Sequence, residues 1–138
     1  MIITNLRIRS YGFSMLLSTL NHNVPDLTDN LIDQLRRDSI TNDMEIMVVD
    51  NGSSEPLAKY TTHTLEHNVF FGGGFNVILD YFLSTDHDYL AMMNNDLIFH
   101  GYNFVNNILK EMEEADSAVY SPSIINSEIA QHLESRDH

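Results

Sequence analysis

Apolar runs of strand length alternate with segments of helical period along the chain, and this alternation predicts an α/β domain with a mostly parallel central sheet flanked by helices. Residues 14–20 read as the first good strand, followed by the polar loop Asn21-His22-Asn23 and the breaker Pro25. In residues 27–37, Leu27, Leu31, Ile32 and Leu35 recur at spacings of three and four, which puts them on one helical face. Asp26 or Thr28 is placed to cap its start. Residues 45–49 are nearly continuous in apolar side chains and stop at Asp50-Asn51-Gly52-Ser53-Ser54, as expected of a central strand covered on both faces. A third unit starts near residues 62–65, and a helical stripe through Val77, Ile78, Tyr81 and Phe82 follows it. A fourth strand, residues 89–93, ends at Asn94-Asn95-Asp96. Phe104, Ile108, Leu109 and Met112 mark a further helix, and residues 118–120 a short strand closed by Pro122. The expected order is βαβαβαβαβ, with a weaker strand signal in residues 1–8. No repeat or Gly/Ser linker interrupts the sequence, so residues 1–138 are expected to form a single domain, with a loose or incomplete tail at 126–138.

The charge balance removes one class of partner. Twenty Asp and Glu against seven Lys and Arg leave a formal charge of −13, whereas a protein that grips nucleic acid needs a basic face to displace counterions. No nucleic acid partner is expected. At 43% hydrophobic residues the chain is also too apolar for an acidic disordered tail. The lack of cysteine excludes disulfides, thiolate zinc sites and a Cys nucleophile together. No apolar run approaches the roughly 18–20 residues of a membrane span, and Arg7 and Arg9 stand where a signal peptide would carry its apolar core. A soluble, cytoplasmic protein is the expectation.

In an open parallel sheet, ligands bind beyond the carboxyl ends of the strands, where the connecting loops diverge. Three of those ends carry polar clusters here: Asn21-His22-Asn23, Asp50-Asn51-Gly52-Ser53 and Asn94-Asn95-Asp96. Asx-Gly and Asx-Asx pairs are ordinary turn formers, which accounts for any one cluster; three at one edge of a sheet are harder to explain by turns only. Gly72-Gly73-Gly74 precedes a helical stripe and would let backbone amides approach a phosphate at the positive end of a helix dipole. No Gly-Lys-Ser/Thr follows, so it is not a P-loop, and as a dinucleotide fingerprint it has Val77 at the third glycine position. A tight crossing of a loop over the sheet is the structural alternative. Between Asp38 and Asn107, Lys59 is the only basic residue. A bound diphosphate would therefore need a divalent metal, for which Asp96 is the obvious carboxylate.

The passages at residues 47–53, 68–76 and 93–96 resemble the nucleotide-sugar-binding half of inverting family-two glycosyltransferases with the GT-A fold, of the rhamnosyl- and galactofuranosyl-transferase type. The resemblance covers residues 14–125. It implies a Rossmann-like GT-A domain, a UDP- or dTDP-sugar donor, Mn2+ or Mg2+ as cofactor, and a hydroxyl acceptor that is a glycan, lipid-linked or other molecule. Asp50, in the motif with Asn51 and Gly52, would recognise the base or ribose. Asn94 and Asn95 stand with Asp96 in place of the family's Asp-x-Asp-like motif, Asp96 being the metal ligand. The loop carrying Asn68, Gly73, Gly74 and Asn76 would line the nucleotide. Thr19 and Asn21 match the ends of a Thr-Tyr-Asn motif in which Leu20 replaces the Tyr. Three further departures stand in the loop and helix: Phe70 at the usual first Gly, Phe75 at the first Asn of an Asn-Asn pair, and Ile78 at another Gly. Their bulk would narrow the pocket or change its donor.

Family members carry their general base beyond a segment like residues 118–122, where only sixteen residues follow here. That is too few for a further strand-helix unit. Glu128, Glu134 and Asp137 are available carboxylates, but nothing assigns them to a reaction centre. The fold is thus expected to be truncated on the acceptor side, a homo-oligomer or companion chain supplying the rest, and the catalytic base is unassigned. A catalytically inactive nucleotide-binding or assembly module is the alternative, and a dinucleotide enzyme a weaker third. The histidines read as surface or loop groups, with His67 the exception because it precedes the Asn68 loop. Asp86 and Asp88 read as a solvated turn, and Glu111, Glu113, Glu114 and Asp116 as a solvated helix end. The methionines and Phe70-Phe71 read as packing, with stacking on a nucleobase the sharper alternative.

Overall fold

A computed structural model describes residues 2–5, 14–101, 103–116 and 118–122. Residues 6–8 of the expected first strand, and the tail with Glu128, Glu134 and Asp137, lie outside the described residues. The chain runs β1 (Ile2–Asn5), β2 (Met15–Asn21), α1 (Pro25–Arg37), a 3-10 turn (Ser39–Thr41), β3 (Glu45–Asn51), β4 (His63–Leu65), α2 (Phe70–Ser84), β5 (Tyr89–Met93), α3 (Phe104–Ala115) and β6 (Val119–Tyr120). The helix expected between β3 and β4 is not formed; residues 52–62 connect these parallel neighbours as a loop.

Among the described residues the sheet has six strands, in the order β4-β3-β2-β5-β1-β6. The contiguous four from β4 to β5 are mutually parallel, while β1 runs antiparallel to both β5 and β6. The alternation along each strand divides the core. Met15 and Leu17, Val48, and Ala91 and Met93 face α1 and α3, where Leu31, Ile32, Leu35, Val105, Ile108 and Met112 meet them. Leu16, Met47, Val49 and Leu90 point the other way, against Ile78 and Phe82 of α2. Both faces of the central strands are covered, as apolar runs in a parallel sheet require.

Helix boundaries depart from the sequence expectation where the chain enters the site. Helix α1 starts at Pro25 with Val24 as its cap, and no side chain caps it. Proline suits the first helical position because its missing N–H would be unsatisfied there anyway. Thr28, expected as a cap, is wholly buried within the helix, and Leu27, expected on the apolar face, is 45% exposed. Helix α2 starts at Phe70 and not after the glycines, so Gly72-Gly73-Gly74 lies inside its first turns. Asp88, expected in a solvated turn, is buried, its Oδ2 accepting the Ser14 N–H at 2.9 Å. At the opposite end of β5, the chain reverses direction in the sheet order: β2 leads to β3 on one side, and β4 leads through α2 to β5 on the other. The carboxyl ends of β2 and β5 therefore flank a topological switch point, the position where open α/β sheets form a crevice.

Candidate functional site

The three polar loops meet at that crevice. Asn21 pairs in register with Asp50, and Thr19 with Met93, so the strands end level and the following loops rise from one edge. They border a cleft of about 370 Å³ lined by Leu20, His22, Val24, Asn51, Asn68, Phe70, Phe71, Phe75, Met93, Asn94, Asn95 and Asp96. Its lining combines the amides and carboxylate of Asn94-Asn95-Asp96 with the aromatic rings from the start of α2.

Beneath the cleft lies a hydrogen-bonded floor. Thr19 is fully buried and its hydroxyl donates to the Met93 carbonyl at 2.8 Å. Asn21 is equally buried, donating to Asp50 Oδ1 at 3.0 Å and accepting from Thr28 Oγ1 at 2.9 Å. Asn95 Nδ2 then donates to the same threonine hydroxyl at 3.0 Å. The network thus links the ends of β2, β3 and β5 through one residue of α1. Asp50 is 1% exposed and also accepts the Ser53 N–H at 2.9 Å and the Ser53 hydroxyl at 2.7 Å. Burial by itself would raise the Asp50 pKa, but the Ser53 hydroxyl and N–H, the Asn21 amide and the nearby His22 together hold it below the usual carboxylate value.

The loop before α2 is pinned from below. Asn51 Oδ1 accepts the Val69 N–H at 3.0 Å, and Asn51 Nδ2 donates to the Phe70 carbonyl at 3.1 Å. Gly52, at φ +64°, lets the chain pass directly under this loop: a Cβ there would fall 2.2 Å from the His67 carbonyl carbon and 2.3 Å from the Asn68 nitrogen. At Gly74 a Cβ would meet the Leu20 side chain at 2.7 Å, so this glycine lets the first turns of α2 close onto β2.

His22, read from sequence as a surface histidine, is the point where the loops are tied. Its Nδ1 bonds to the Asn51 carbonyl at 2.9 Å, and its Nε2 meets Asn68 Nδ2 and Asn23 Nδ2, each at 3.3 Å. Both amides have their oxygens committed to backbone N–H groups, of Phe70 for Asn68 and of Ser54 and Glu55 for Asn23. Their nitrogens therefore turn toward Nε2, while Nδ1 donates to the Asn51 carbonyl, which can only accept. His67, the sequence exception, is exposed and contributes its backbone over Gly52.

Of the residues singled out in the sequence, Asn51, Asn68, Asn94, Asn95 and Asp96 line the cleft. Thr19, Asn21 and Asp50 form its floor, Gly52 and Gly74 are close-packing positions, Gly73 packs its backbone on Val69, and Asn76 is exposed farther along α2. The sequence carries no signal for Val24 and reads Thr28 as a cap and His22 as a surface or loop group; Phe70 and Phe75, whose bulk it expects to narrow the pocket, line the cleft together with Phe71. Among the described residues lining it none is Lys or Arg, and the ionisable ones are His22 and Asp96. No protein-family model matches the chain, and neither the curated proteins nor the solved structures contain a match to it.

Proposed function

We propose that this chain binds a nucleoside-diphosphate sugar, UDP- or dTDP-linked, and acts as the donor-binding domain of an inverting, metal-assisted glycosyltransferase with a GT-A-like fold. The observation that carries the reading is the convergence of the Asn21, Asp50 and Asn94-Asn95-Asp96 loops on one switch-point cleft. Its volume suits a small-molecule ligand. Helix α2 begins at its edge and brings Phe70, Phe71 and Phe75 to the lining.

The donor set fits a particular kind of metal. Asp96 offers one exposed carboxylate beside the amides of Asn94 and Asn95, while among the described residues no group of three or more His, Cys, Asp or Glu is arranged to hold an ion. Mg2+ and Mn2+ bound between one carboxylate and substrate phosphates need no more than this from the protein, with water completing the shell. Such an ion would stabilise the charge of the departing diphosphate. The chain's own residues position the donor: the buried floor holds the three strand ends level, Asn51 fixes the loop at residues 69–70, and the aromatic wall excludes water from one side of the cleft. The acceptor, a glycan, lipid-linked or other hydroxyl, would attack the anomeric carbon in line and displace the diphosphate, its proton passing to a general base on the acceptor side.

The second reading, a nucleotide-binding or assembly module without turnover, is favoured by the scarcity of ionisable groups in the cleft. Beyond Asp96 only His22 is available there, and its ring nitrogens are engaged. Thermal melting with UDP or dTDP and Mn2+ tests the shared premise. A ligand at a hundred times its Kd adds about 2.7 kcal/mol of stability, and that gain should vanish in Asp96→Ala. No shift with any nucleoside diphosphate and metal would overturn the transferase reading and leave only the assembly form of the second; a shift without donor hydrolysis or transfer by the intact protein would select its nucleotide-binding form. No helix among the described residues is long and apolar enough to cross a membrane; a cytoplasmic location is part of the proposal.

A further inference from the structure

Phe70 opens α2 with φ of +63°, a left-handed conformation that glycine adopts freely and a bulky side chain does not. Three hydrogen bonds hold it there. The Phe70 N–H donates to Asn68 Oδ1 at 2.7 Å, and buried Asn51 clamps both the Val69 N–H and the Phe70 carbonyl. The strain is thus held by Asn51 and Asn68, two residues that line the cleft. The ring that incurs it does little for the fold: Phe70 is 78% exposed, Phe71 beside it is 65% exposed, and Phe71 sets its edge against Phe75 at 4.6 Å between ring centroids. Both Phe70 and Phe71 line the cleft, as do the amides of Asn94 and Asn95 and the carboxylate of Asp96. A strained backbone that presents an exposed aromatic ring to a ligand-sized crevice is a feature retained for what the ring touches.

We propose that Phe70 is a nucleotide-binding residue whose ring stacks on the nucleobase of the bound donor, with Phe71 extending the same apolar wall and the diphosphate directed toward Asn94-Asn95-Asp96. This rests on the nucleotide-binding reading above and adds the group that recognises the base. A flat, partly apolar base matches an exposed phenyl face, and the amides of Asn94 and Asn95 in the same lining suit phosphate and hydroxyl oxygens. An aromatic hot spot for a second protein is the competing use of the same rings.

Phe70→Gly, Phe70→Ala and Phe70→Tyr separate these outcomes. UDP and inorganic pyrophosphate are titrated by calorimetry in the presence of Mg2+, and the uracil H5 and H6 resonances of bound UDP are followed by NMR with the same diamagnetic ion. Stacking predicts that the Gly and Ala variants bind UDP about tenfold or more weakly, a loss of about 1.4 kcal/mol. It also predicts that their pyrophosphate affinity is unchanged, that the upfield ring-current shift of the uracil protons is lost in both, and that Phe70→Tyr retains it. Without ligand, Phe70→Gly should melt above Phe70→Ala, because both lack the ring and only alanine keeps the strained Cβ. Equal UDP affinity in all variants would overturn the inference while leaving the nucleotide reading in place. Equal losses for UDP and pyrophosphate would overturn it in favour of loop collapse, as would Phe70→Gly melting below Phe70→Ala by removing its premise. Concentration-dependent self-association of the wild type that Phe70→Gly abolishes, with UDP binding intact, would assign the rings to a protein interface instead. Wild-type protein that binds no nucleoside diphosphate would sink the functional reading itself, and the inference with it.

Discussion

The side-chain amide of Asn21 donates a 3.0 Å hydrogen bond to the carboxylate of Asp50 across the ends of two adjacent parallel strands, in a layer that is fully buried. A charged group is tolerated there because Ser53 supplies two more donors to the same carboxylate. The arrangement makes the floor of the cleft depend on a negative charge.

Asp50→Asn should therefore destabilise the fold. An amide nitrogen at this site would face the N–H of Ser53 or the amide of Asn21, leaving donors opposed, and the expected loss is about 1–3 kcal/mol at neutral pH. The pH dependence has a definite sign. Because the folded-state pKa lies below the ordinary value, the carboxylate's contribution is fully present above the unfolded pKa and is lost as pH falls through the folded one. Urea denaturation at neutral and acidic pH should show a shallower acid decline in the variant than in the wild type.

Gly52→Ala should be among the most damaging single-methyl additions in the chain. Its Cβ would overlap backbone atoms of His67 and Asn68 at 2.2 and 2.3 Å, and the residue sits at φ +64°, so neither rotamer change nor relaxation of a flexible side chain relieves it. A loss of about 2–4 kcal/mol is expected, read as a lower urea midpoint. The same substitution at Gly72, where a Cβ would meet nothing within 4 Å, should be neutral or stabilising because alanine favours the helix.

His22→Ala should release the loop at residues 67–70 without unfolding the protein. The ring bonds to the Asn51 carbonyl and receives amides from Asn68 and Asn23, and it is exposed at the cleft, so the expected global loss is about 1 kcal/mol. Amide hydrogen exchange should nonetheless speed up at Val69 and Phe70 relative to the strands. Unchanged exchange there would show that Asn51 holds the loop unaided.

Asp96→Ala should leave the unliganded melting temperature nearly unchanged, within about 0.5 kcal/mol, because the side chain is exposed at the cleft. With Mn2+ and UDP present, the variant should behave as the wild type does in excess EDTA. A large loss of stability without ligand would give Asp96 a structural role instead.

At the base of the sheet, Glu45 accepts hydrogen bonds from Tyr81 and His87, which lower its pKa and raise that of Tyr81. Glu45→Gln should remove little stability, since exposed pairs contribute at most about 1 kcal/mol. Its measurement against Asp50→Asn would separate a solvated carboxylate from a buried one.

The layered α/β architecture was legible in local pattern. Continuous apolar runs at residues 45–49 and 89–93 can only be satisfied by cover on both faces, and β3 and β5 are such strands. The polar residues that end β2, β3 and β5 were equally visible, and parallel strands necessarily bring those ends to one edge. Local pattern failed where long-range contacts decide the outcome. The glycine triplet reads as a loop by propensity, yet helix α2 incorporates it because Gly74 lets the helix close on Leu20. Thr28 reads as a cap, yet its hydroxyl is drawn between Asn21 and Asn95, residues seven positions before it and 67 after it. His22 has no signature in sequence spacing, because each of its partners but Asn23 comes from another strand end or loop. The sequence by itself determined which segments are apolar on both faces and which strand ends are polar, since period and composition are properties of neighbouring residues. Only the tertiary structure decided that Asp50 lies under the cleft, that Phe70 stands strained at its rim and that Asn51 joins the two, because these relationships depend on strand order and register, which local sequence does not encode.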